Sequence, residues 1–243
     1  MEERLVADLL KEEKTHWWHR AKRALVTQCI PPGNGKALVL GVGGGVICEE
    51  LKNRGYDVTA IDLSSVSCAH VAREFGVHVM QADLEKTLAI GDSLFDLVVA
   101  TDTLEHIENE SQLLHEIFRS MKTSGRLIVT VPAYQSFWSS WDERLGHKRR
   151  YTGDGLGRRI KDAGFRVKKL SYFNTLICAF VYLYRKSPLY RKNTVTGKSD
   201  FSTFSGRLPS LFFNGYYFIE RNMIALFNMP FGLSILTVAM KNG

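Results

Sequence analysis

The sequence lacks the features that define several protein classes. It has only four cysteines, Cys29, Cys48, Cys68 and Cys178, and they match neither a metal-ligand spacing nor a small disulfide framework. We therefore expect reduced thiols and no bound metal. There is no internal repeat or low-complexity segment, and no apolar run reaches the roughly 20 residues that a membrane-spanning helix needs. What remains is a globular composition, with 45% hydrophobic and 23% charged residues.

The first residues, Met1 to Arg4, lack the basic-then-apolar order of a signal peptide, so we expect a cytoplasmic protein. Excess positive charge is missing from residues 1–140, which hold 14 Lys and Arg against 19 Asp and Glu. Residues 141–243 hold 18 against 6, a net charge of +12. This asymmetry indicates an anionic partner, such as a phosphorylated substrate, a membrane surface or nucleic acid, or else a solvated basic face.

Apolar segments alternate with amphipathic ones from residue 36 onwards. Runs rich in Val, Ile and Leu predict buried parallel strands at 36–41, 57–61, 77–81, 94–100 and 125–131. Helices are predicted at 46–54, 64–75, 109–122 and 154–163, and further strands at 165–173 and 233–241. This alternation predicts an α/β protein with one largely parallel sheet.

About 60 residues separate the last two predicted strands, too many for a hairpin. We predict that residues 174–230 form an inserted subdomain that is apolar and basic. Its role stays open between a lid, a dimer surface and a peripheral membrane contact. Residues 1–32 are predicted to form an N-terminal helical cap, which leaves 33–173 and 231–243 as the main domain.

The most informative segment is an apolar run that ends in three alternating glycines, Gly41, Gly43 and Gly45. A helical pattern follows, and the next apolar run ends in Asp62, which could accept hydrogen bonds from a ribose diol. Strand, glycine turn, helix, strand and acid in this order are typical of a nucleotide-binding βαβ unit. Val46 stands where a dinucleotide-binding motif needs glycine or alanine.

This glycine spacing resembles motif I of the class I S-adenosylmethionine-dependent methyltransferases. Gln81-Ala82-Asp83-Leu84 after the third strand and Thr101 to His106 after the fourth are similar to further motifs of that family. The resemblance implies a Rossmann-like sheet with an antiparallel last strand. The residues of this chain add N-terminal helices and a helical insertion before that strand. The resemblance also implies S-adenosylmethionine as cofactor, with Asp83 on the adenine amino group and Leu84 against the ring. Other cofactor contacts that it implies are Gly41, Val42, Gly43, Gly45, Asp62, Leu63, Thr101 and Thr103. The chain departs from the family at Val39, where an acid is usual.

Methyl transfer from a sulfonium mainly requires an aligned in-line attack and exclusion of water. A hydroxyl or ammonium acceptor also needs a general base. The candidates in this chain are Asp102, His106 and His147. His106 could equally cap a helix or orient a neighbouring group.

Aromatic residues outside the predicted sheet form two clusters, Trp17 with Trp18 and Trp138 with Trp141, and Tyr134 lies in the same loop as the second cluster. In the family, the N-terminal helices and the loop after the fifth strand commonly cover the substrate. The clusters could therefore wall a hydrophobic substrate pocket, or simply pack the N-terminal helices onto the domain.

A basic segment follows these aromatics and resembles a Gly-His-x-Arg-Arg-Tyr segment of a bacterial methyltransferase subgroup. Arg149 and Arg150, flanked by His147 and Tyr151, could clamp a phosphate or carboxylate bidentately. The alternative is that both arginines are surface charge.

We predict a methyltransferase that acts on an oxygen or nitrogen, less often a carbon, of a small or lipid-like molecule with an anionic group. Nucleic acid is disfavoured because Thr101 to Leu104 lacks the Asn/Asp-Pro-Pro-aromatic motif and no Pro-Cys nucleophile is present. Two alternatives stay open: a cyclisation or decarboxylation on the same fold, or a non-catalytic module that binds a membrane surface or a partner. A homodimer and a peripheral membrane location are also open.

Overall fold

The computed structural model describes residues 16–186 and 207–242, and they contain a seven-stranded sheet of order β3-β2-β1-β4-β5-β7-β6. The four pairs from β3 to β5 are parallel, and β7 is antiparallel to β5 and β6. This arrangement confirms the predicted fold class. The strands are β1 (Lys36–Leu40), β2 (Asp57–Asp62), β3 (His78–Gln81), β4 (Phe95–Thr101), β5 (Met121–Pro132), β6 (Phe165–Phe173) and β7 (Ser234–Lys241).

The helices of the central domain begin and end within two residues of the sequence prediction. Helix α4 illustrates why: the Asn109 side chain accepts from the Gln112 N–H at 3.2 Å, and Leu113, Leu114 and Ile117 form a buried stripe. The part of the predicted N-terminal cap before residue 16 lies outside the described residues. The helices are α1 (Trp17–Cys29), α2 (Val46–Asn53), α3 (Ser65–Phe75), α4 (Glu110–Ser120), α5 (Ser140–Leu145), α6 (Gly153–Asp162), α7 (Thr175–Lys186) and α8 (Arg207–Leu226).

Both faces of the sheet are covered, which explains the nearly continuous apolar strands. In β1, Leu38 and Leu40 belong to the core cluster that contains α4 and α6. Ala37 and Val39 belong to the opposite cluster, with α1 and α2. Successive side chains of a strand alternate between faces, so each face takes every second residue. Val39, the departure from the family pattern, is a core residue here.

The inserted segment packs against the N-terminal helix. The rings of Trp17 in α1 and Tyr217 in α8 stack with their centroids 5.9 Å apart. Glu220 of α8 is buried and accepts the N–H groups of Asn174 and Thr175 at 3.0 and 2.7 Å, which caps the start of α7. Among the residues described, no helix combines the length and apolar character that crossing a membrane requires.

Candidate functional site

The candidate site lies where the carboxyl ends of β2, β1, β4 and β5 meet at one edge of the sheet. From β1 the chain continues to β2 on one side, and from β4 it continues to β5 on the other. The two connections diverge between β1 and β4, which leaves a crevice at this edge. Open α/β sheets bind ligands at such a switch point.

The glycine loop after β1 requires glycine at its first and last motif positions. Gly41 has a φ of 72° and Gly45 a φ of 80°, a left-handed region that L side chains rarely adopt. A Cβ at Gly41 would lie 2.6 Å from Thr103 Oγ1, and one at Gly45 would lie 2.6 Å from the Phe75 ring. Thr103 itself is buried and donates to the Leu40 carbonyl at 2.8 Å. The predicted cofactor residue Thr103 therefore holds the loop against the end of β1.

Asp62 at the end of β2 ties its own loop to the glycine loop. Its Oδ2 accepts from the Val42 N–H and its Oδ1 from the Ser64 N–H, both at 2.8 Å. A carboxylate oxygen has two lone pairs, so each oxygen can accept a second hydrogen bond from a ribose hydroxyl. The neighbouring Leu63 is 66% exposed and offers an apolar surface beside it. Gly43, with a φ of 51°, lies in the same loop.

The acid after β3 is also placed at this edge. Asp83 accepts from the Glu85 N–H at 3.0 Å, which closes the turn, and its carboxylate is half-buried. Leu84 belongs to the core cluster under α4 and is 9% exposed. Its role against an adenine ring remains a prediction.

The end of β4 carries a charged pair that involves the N-terminal helix. Asp102 follows Thr101 and accepts from Lys22 Nζ of α1 at 2.5 Å and from Thr130 Oγ1 at 2.9 Å. Burial alone would raise the pKa of the Asp102 carboxyl, but the Lys22 ammonium and the Thr130 hydroxyl lower it below its usual value. The candidate base Asp102 is thus an ionised partner of Lys22, a residue that the sequence analysis missed.

Two non-glycine residues at neighbouring strand ends have left-handed backbones. Asp102 after β4 has a φ of 51°, and Tyr134 after β5 has a φ of 55°. Such conformations cost of the order of 1–3 kcal/mol and cluster at functional sites. Ser93 and Ser124 at the opposite edge also have positive φ values, so these angles alone do not mark the site.

The turn after β4 and the loop after α5 bring two predicted catalytic residues together. The rings of His106 and His147 lie 4.8 Å apart, centroid to centroid, and nearly perpendicular. Burial, with the neighbouring His147, lowers the pKa of His106 to about 4. Glu105 lies within reach of both and is fully buried, and the sequence analysis included it in a family motif without giving it a role. Burial, with the charge of Asp102, raises the pKa of the Glu105 carboxyl well above its usual value.

The two arginines of the predicted anion clamp, Arg149 and Arg150, both pair with carboxylates of the chain. Arg150 forms a bidentate pair with buried Asp142, with Nε to Oδ1 at 2.7 Å and Nη2 to Oδ2 at 2.9 Å. Arg149 Nη1 lies 3.4 Å from Glu110, and its Nη2 donates to the Glu108 carbonyl at 3.1 Å. Because the two guanidinium groups pair with different carboxylates, they do not form one fork for a ligand.

Tyr151 is an internal residue as well. It is 3% exposed, and its hydroxyl donates to the Glu110 carboxylate, which also pairs with Arg159 of α6. This network joins the start of α4 to α6. The basic segment is therefore part of an internal network, and a substrate contact of Tyr151 remains a prediction.

The aromatic residues predicted to wall a substrate pocket fall into two groups, one buried in the core and one half-buried near the surface. Trp17 is 3% exposed and packs between α1 and α8, which is the packing role that the sequence left open. Trp18 and Tyr134 are half-buried beside the same cluster, and the Tyr134 ring stacks on Tyr172 at 5.2 Å. Trp138 donates to Glu143 at 3.4 Å, and half-buried Trp141 lies under the Arg144 guanidinium. A substrate wall thus remains a prediction for Trp18, Tyr134, Trp138 and Trp141.

Comparisons with known proteins place this geometry in a family. Residues 38–129 match a family model described as a methyltransferase domain. A Mycobacterium tuberculosis protein, "Probable S-adenosylmethionine-dependent methyltransferase Rv3030", is 29% identical over 67% of this chain and 60% of its own length. A Rickettsia felis ubiquinone biosynthesis O-methyltransferase is 35% identical over 39% of this chain and 40% of its own length. The chain thus spans less than two thirds of these relatives.

Solved structures support the fold. The Haemonchus contortus phosphoethanolamine N-methyltransferase 2, in complex with S-adenosylmethionine, matches with a TM-score of 0.61 and 18% identity over 93% of this chain and 53% of its own. The [4+2]-cyclase SpnF matches with a TM-score of 0.60 and 19% identity over 91% of this chain and 80% of its own. Residues 38–129 thus match a methyltransferase domain, and the sheet order and the glycine loop are those of the class I S-adenosylmethionine-dependent methyltransferase fold.

Proposed function

We propose that this protein transfers the methyl group of S-adenosylmethionine to an oxygen or nitrogen of a small, lipid-like molecule. The observation that carries the proposal is the joined pair of loops after β1 and β2, in which Asp62 holds the Val42 N–H and keeps free lone pairs. The backbone at Gly41 has no side chain to hinder the approach of a nucleoside. Asp62 binds the ribose and the glycine loop supports the nucleoside.

We assign the methionine part of the cofactor to the region beside the glycine loop where α1 meets the end of β4. Lys22 and Arg23 of α1 line this region together with Val46, Ile47 and Thr101. Lys22 pairs with Asp102 at 2.5 Å and Arg23 pairs with Glu49 at 3.4 Å, so we do not assign the methionine carboxylate to either cation. Helix α1 therefore lies next to the start of α2 and the end of β4.

The acceptor class is argued from an exposed apolar surface and from the relatives. Large apolar side chains project outward from α7 and α8 and are between 43% and 76% exposed. Such a patch marks a lipid or protein contact rather than ordinary surface, and the basic C-terminal part favours anionic lipid. The patch consists of Leu176, Phe180, Leu183, Phe218, Ile219, Met223 and Leu226.

The anionic group predicted for the acceptor loses its main support. Arg149 and Arg150 are both paired with internal carboxylates. Some relatives are ubiquinone biosynthesis O-methyltransferases, and this similarity favours an oxygen acceptor on a lipid-like molecule. We therefore propose that the acceptor molecule is apolar and do not require it to carry an anionic group.

Methyl transfer is tested with S-adenosylmethionine that carries a deuterated methyl group. The protein is incubated with phenols, catechols, amines and prenylated quinols, and S-adenosylhomocysteine and product mass are followed by mass spectrometry. We expect one acceptor class to gain a single deuterated methyl group as S-adenosylhomocysteine forms. Absence of S-adenosylhomocysteine with every class would refute the proposed activity.

A second function is favoured by one observation, the similarity to the fold of the cyclase SpnF. One fold can host different reactions, so the cofactor could remain unconsumed while the substrate rearranges. In the same experiment, a product of unchanged mass without S-adenosylhomocysteine would assign cyclisation instead.

The membrane contact is tested by sedimentation with vesicles of phosphatidylcholine, alone or with phosphatidylglycerol. We expect binding to the anionic vesicles, and its loss in the double variant Phe180→Glu, Leu183→Glu. Leu94→Glu is the control, because Leu94 is 37% exposed in the loop before β4, at the opposite edge of the sheet. Dimerisation that the double variant abolishes, without vesicle binding, would assign the surface to a second copy.

A further inference from the structure

Three metal-binding side chains meet beside the end of β4. One ligand atom from each of Glu105, His106 and His147 lies within 4.8 Å of the others. Glu105 and His106 come from the turn after β4, and His147 comes from the loop after α5. Two separate segments of the chain therefore converge on one point.

The environment of Glu105 indicates that this cluster binds a cation. Its side chain is fully buried, and neither carboxylate oxygen has a hydrogen-bond partner among the described residues. A buried carboxyl without a partner costs several kcal/mol unless it is protonated or neutralised by a cation. The nearby cations are already engaged, since Lys22 pairs with Asp102 and Arg150 with Asp142.

Both histidines have one ring nitrogen fixed and the other available. His147 Nδ1 lies 2.9 Å from Asp142 Oδ1, so it carries the proton and leaves the Nε2 lone pair available. A carboxylate behind a histidine is a common outer partner at metal sites. His106 is hydrogen-bonded to the Gly146 backbone, and an imidazole that donates through one nitrogen keeps a lone pair on the other.

We propose that Glu105, His106 and His147 bind a divalent first-row transition metal ion, with Zn²⁺ as the best match. Two imidazoles and one carboxylate are a ligand set of open zinc sites, in which the fourth position holds water or substrate. Zinc ligands lie about 2.0–2.1 Å from the ion, so a tetrahedral site needs its ligand atoms about 3.4 Å apart. The cluster therefore contracts by up to about 1.4 Å, within the reach of side-chain rotation.

This inference revises the expectation of no bound metal, which depended on cysteine spacing. The three residues follow β4 and α5, beside the candidate site. If the proposed methyl transfer holds, an acceptor hydroxyl bound there would have a lower pKa, because the ion acts as a Lewis acid. Metal binding itself does not depend on that reaction, and it is tested without cofactor or acceptor.

The test uses the full-length chain, stripped with chelator and then titrated with Zn²⁺ and with Co²⁺. We expect one ion per chain and Co²⁺ absorption bands typical of a tetrahedral site. Glu105→Gln and His147→Asn should each weaken binding by at least about 10- to 100-fold, the loss that even outer partners of metal ligands cause. His115→Asn is the matched control, because His115 is exposed on α4 and is not a member of the cluster.

Circular dichroism of each variant checks that it is folded, and Glu105→Gln is nearly isosteric, so it should keep the fold. Binding of one ion by the wild type and by His115→Asn, with loss in both ligand variants, supports the site. No ion in the wild type, or equal affinity in Glu105→Gln and His115→Asn, would overturn it. In that case Glu105 is a protonated buried acid.

Discussion

The most specific prediction about the basic segment, residues 147–151, concerns its partner Asp142. It is fully buried and accepts from Arg150 at 2.7 and 2.9 Å, from His147 at 2.9 Å and from the Ser139 backbone N–H at 2.9 Å. Alanine at this position would leave the Arg150 guanidinium, whose side chain is 13% exposed, without its counter-charge. Breaking a buried pair in this way costs about 3–5 kcal/mol.

The assay is urea unfolding followed by circular dichroism. We expect Asp142→Ala to lower the free energy of unfolding by about 3–5 kcal/mol, and Asp142→Asn by less, because the amide keeps one acceptor oxygen. Asp162→Ala is the control, since Asp162 is exposed at the end of α6 and its loss should change stability by no more than about 0.5 kcal/mol. If Asp142→Ala is as stable as the control, Arg150 is available to a ligand, and the anion clamp predicted from the sequence returns.

Three further predictions concern the N-terminal helix, the insertion and the glycine loop. Glu220 caps α7, so we expect Glu220→Gln to cost about 1–3 kcal/mol in urea unfolding, and an unchanged value would contradict the capping role. Burial, with Lys22 nearby, lowers the pKa of His19 from 6.5 to about 3, so the unfolded chain binds a proton that the folded chain excludes. The contribution of His19 to the free energy of unfolding is constant above pH 6.5 and falls by about 1.4 kcal/mol per pH unit between pH 6.5 and about pH 3. His19→Gln should remove this slope, and equal slopes in the wild type and the variant would refute the prediction. Gly41→Ala should weaken S-adenosylmethionine binding in calorimetry, because its Cβ meets Thr103 Oγ1 at 2.6 Å, and unchanged affinity would show that the loop adapts.

The sheet and the glycine loop could be predicted because their signals are local. Apolar runs mark the strands, and the spacing of Gly41, Gly43 and Gly45 marks a turn whose φ values only glycine adopts easily. Asp62 follows from its place at the end of a strand. These features depend on a few neighbouring residues, so no tertiary contact was needed to recognise them.

The electrostatics of the site could not be predicted from the sequence. Lys22 and Asp102 are 80 positions apart, and no spacing rule connects them. Arg150 and Asp142 are close in sequence, yet the bidentate pair depends on how the loop turns back after α5. An arginine next to an acid is as often surface charge as a buried pair, so only the fold could decide.

The proposed metal-binding cluster could not be predicted either, because it also depends on contacts between distant segments. His106 and His147 were selected separately as candidate bases, and Glu105 was treated only as part of a family motif. Their meeting depends on the contact between the turn after β4 and the loop after α5, where the Lys148 N–H donates to the Glu105 carbonyl at 2.7 Å. Long-range hydrogen bonds of this kind leave no periodic signal in the sequence.

The central claim is that the loops after β1 and β2 bind S-adenosylmethionine, and isothermal titration calorimetry tests it most directly. Asp62→Asn removes the charge at the carboxyl end of β2, whereas Asp57→Asn removes one at the exposed start of the same strand. We predict one site per chain in the wild type and in Asp57→Asn, and affinity about 10- to 100-fold weaker in Asp62→Asn, as expected for a lost hydrogen bond to a charged group. Equal affinity in the two variants, or no binding by the wild type, would contradict the account.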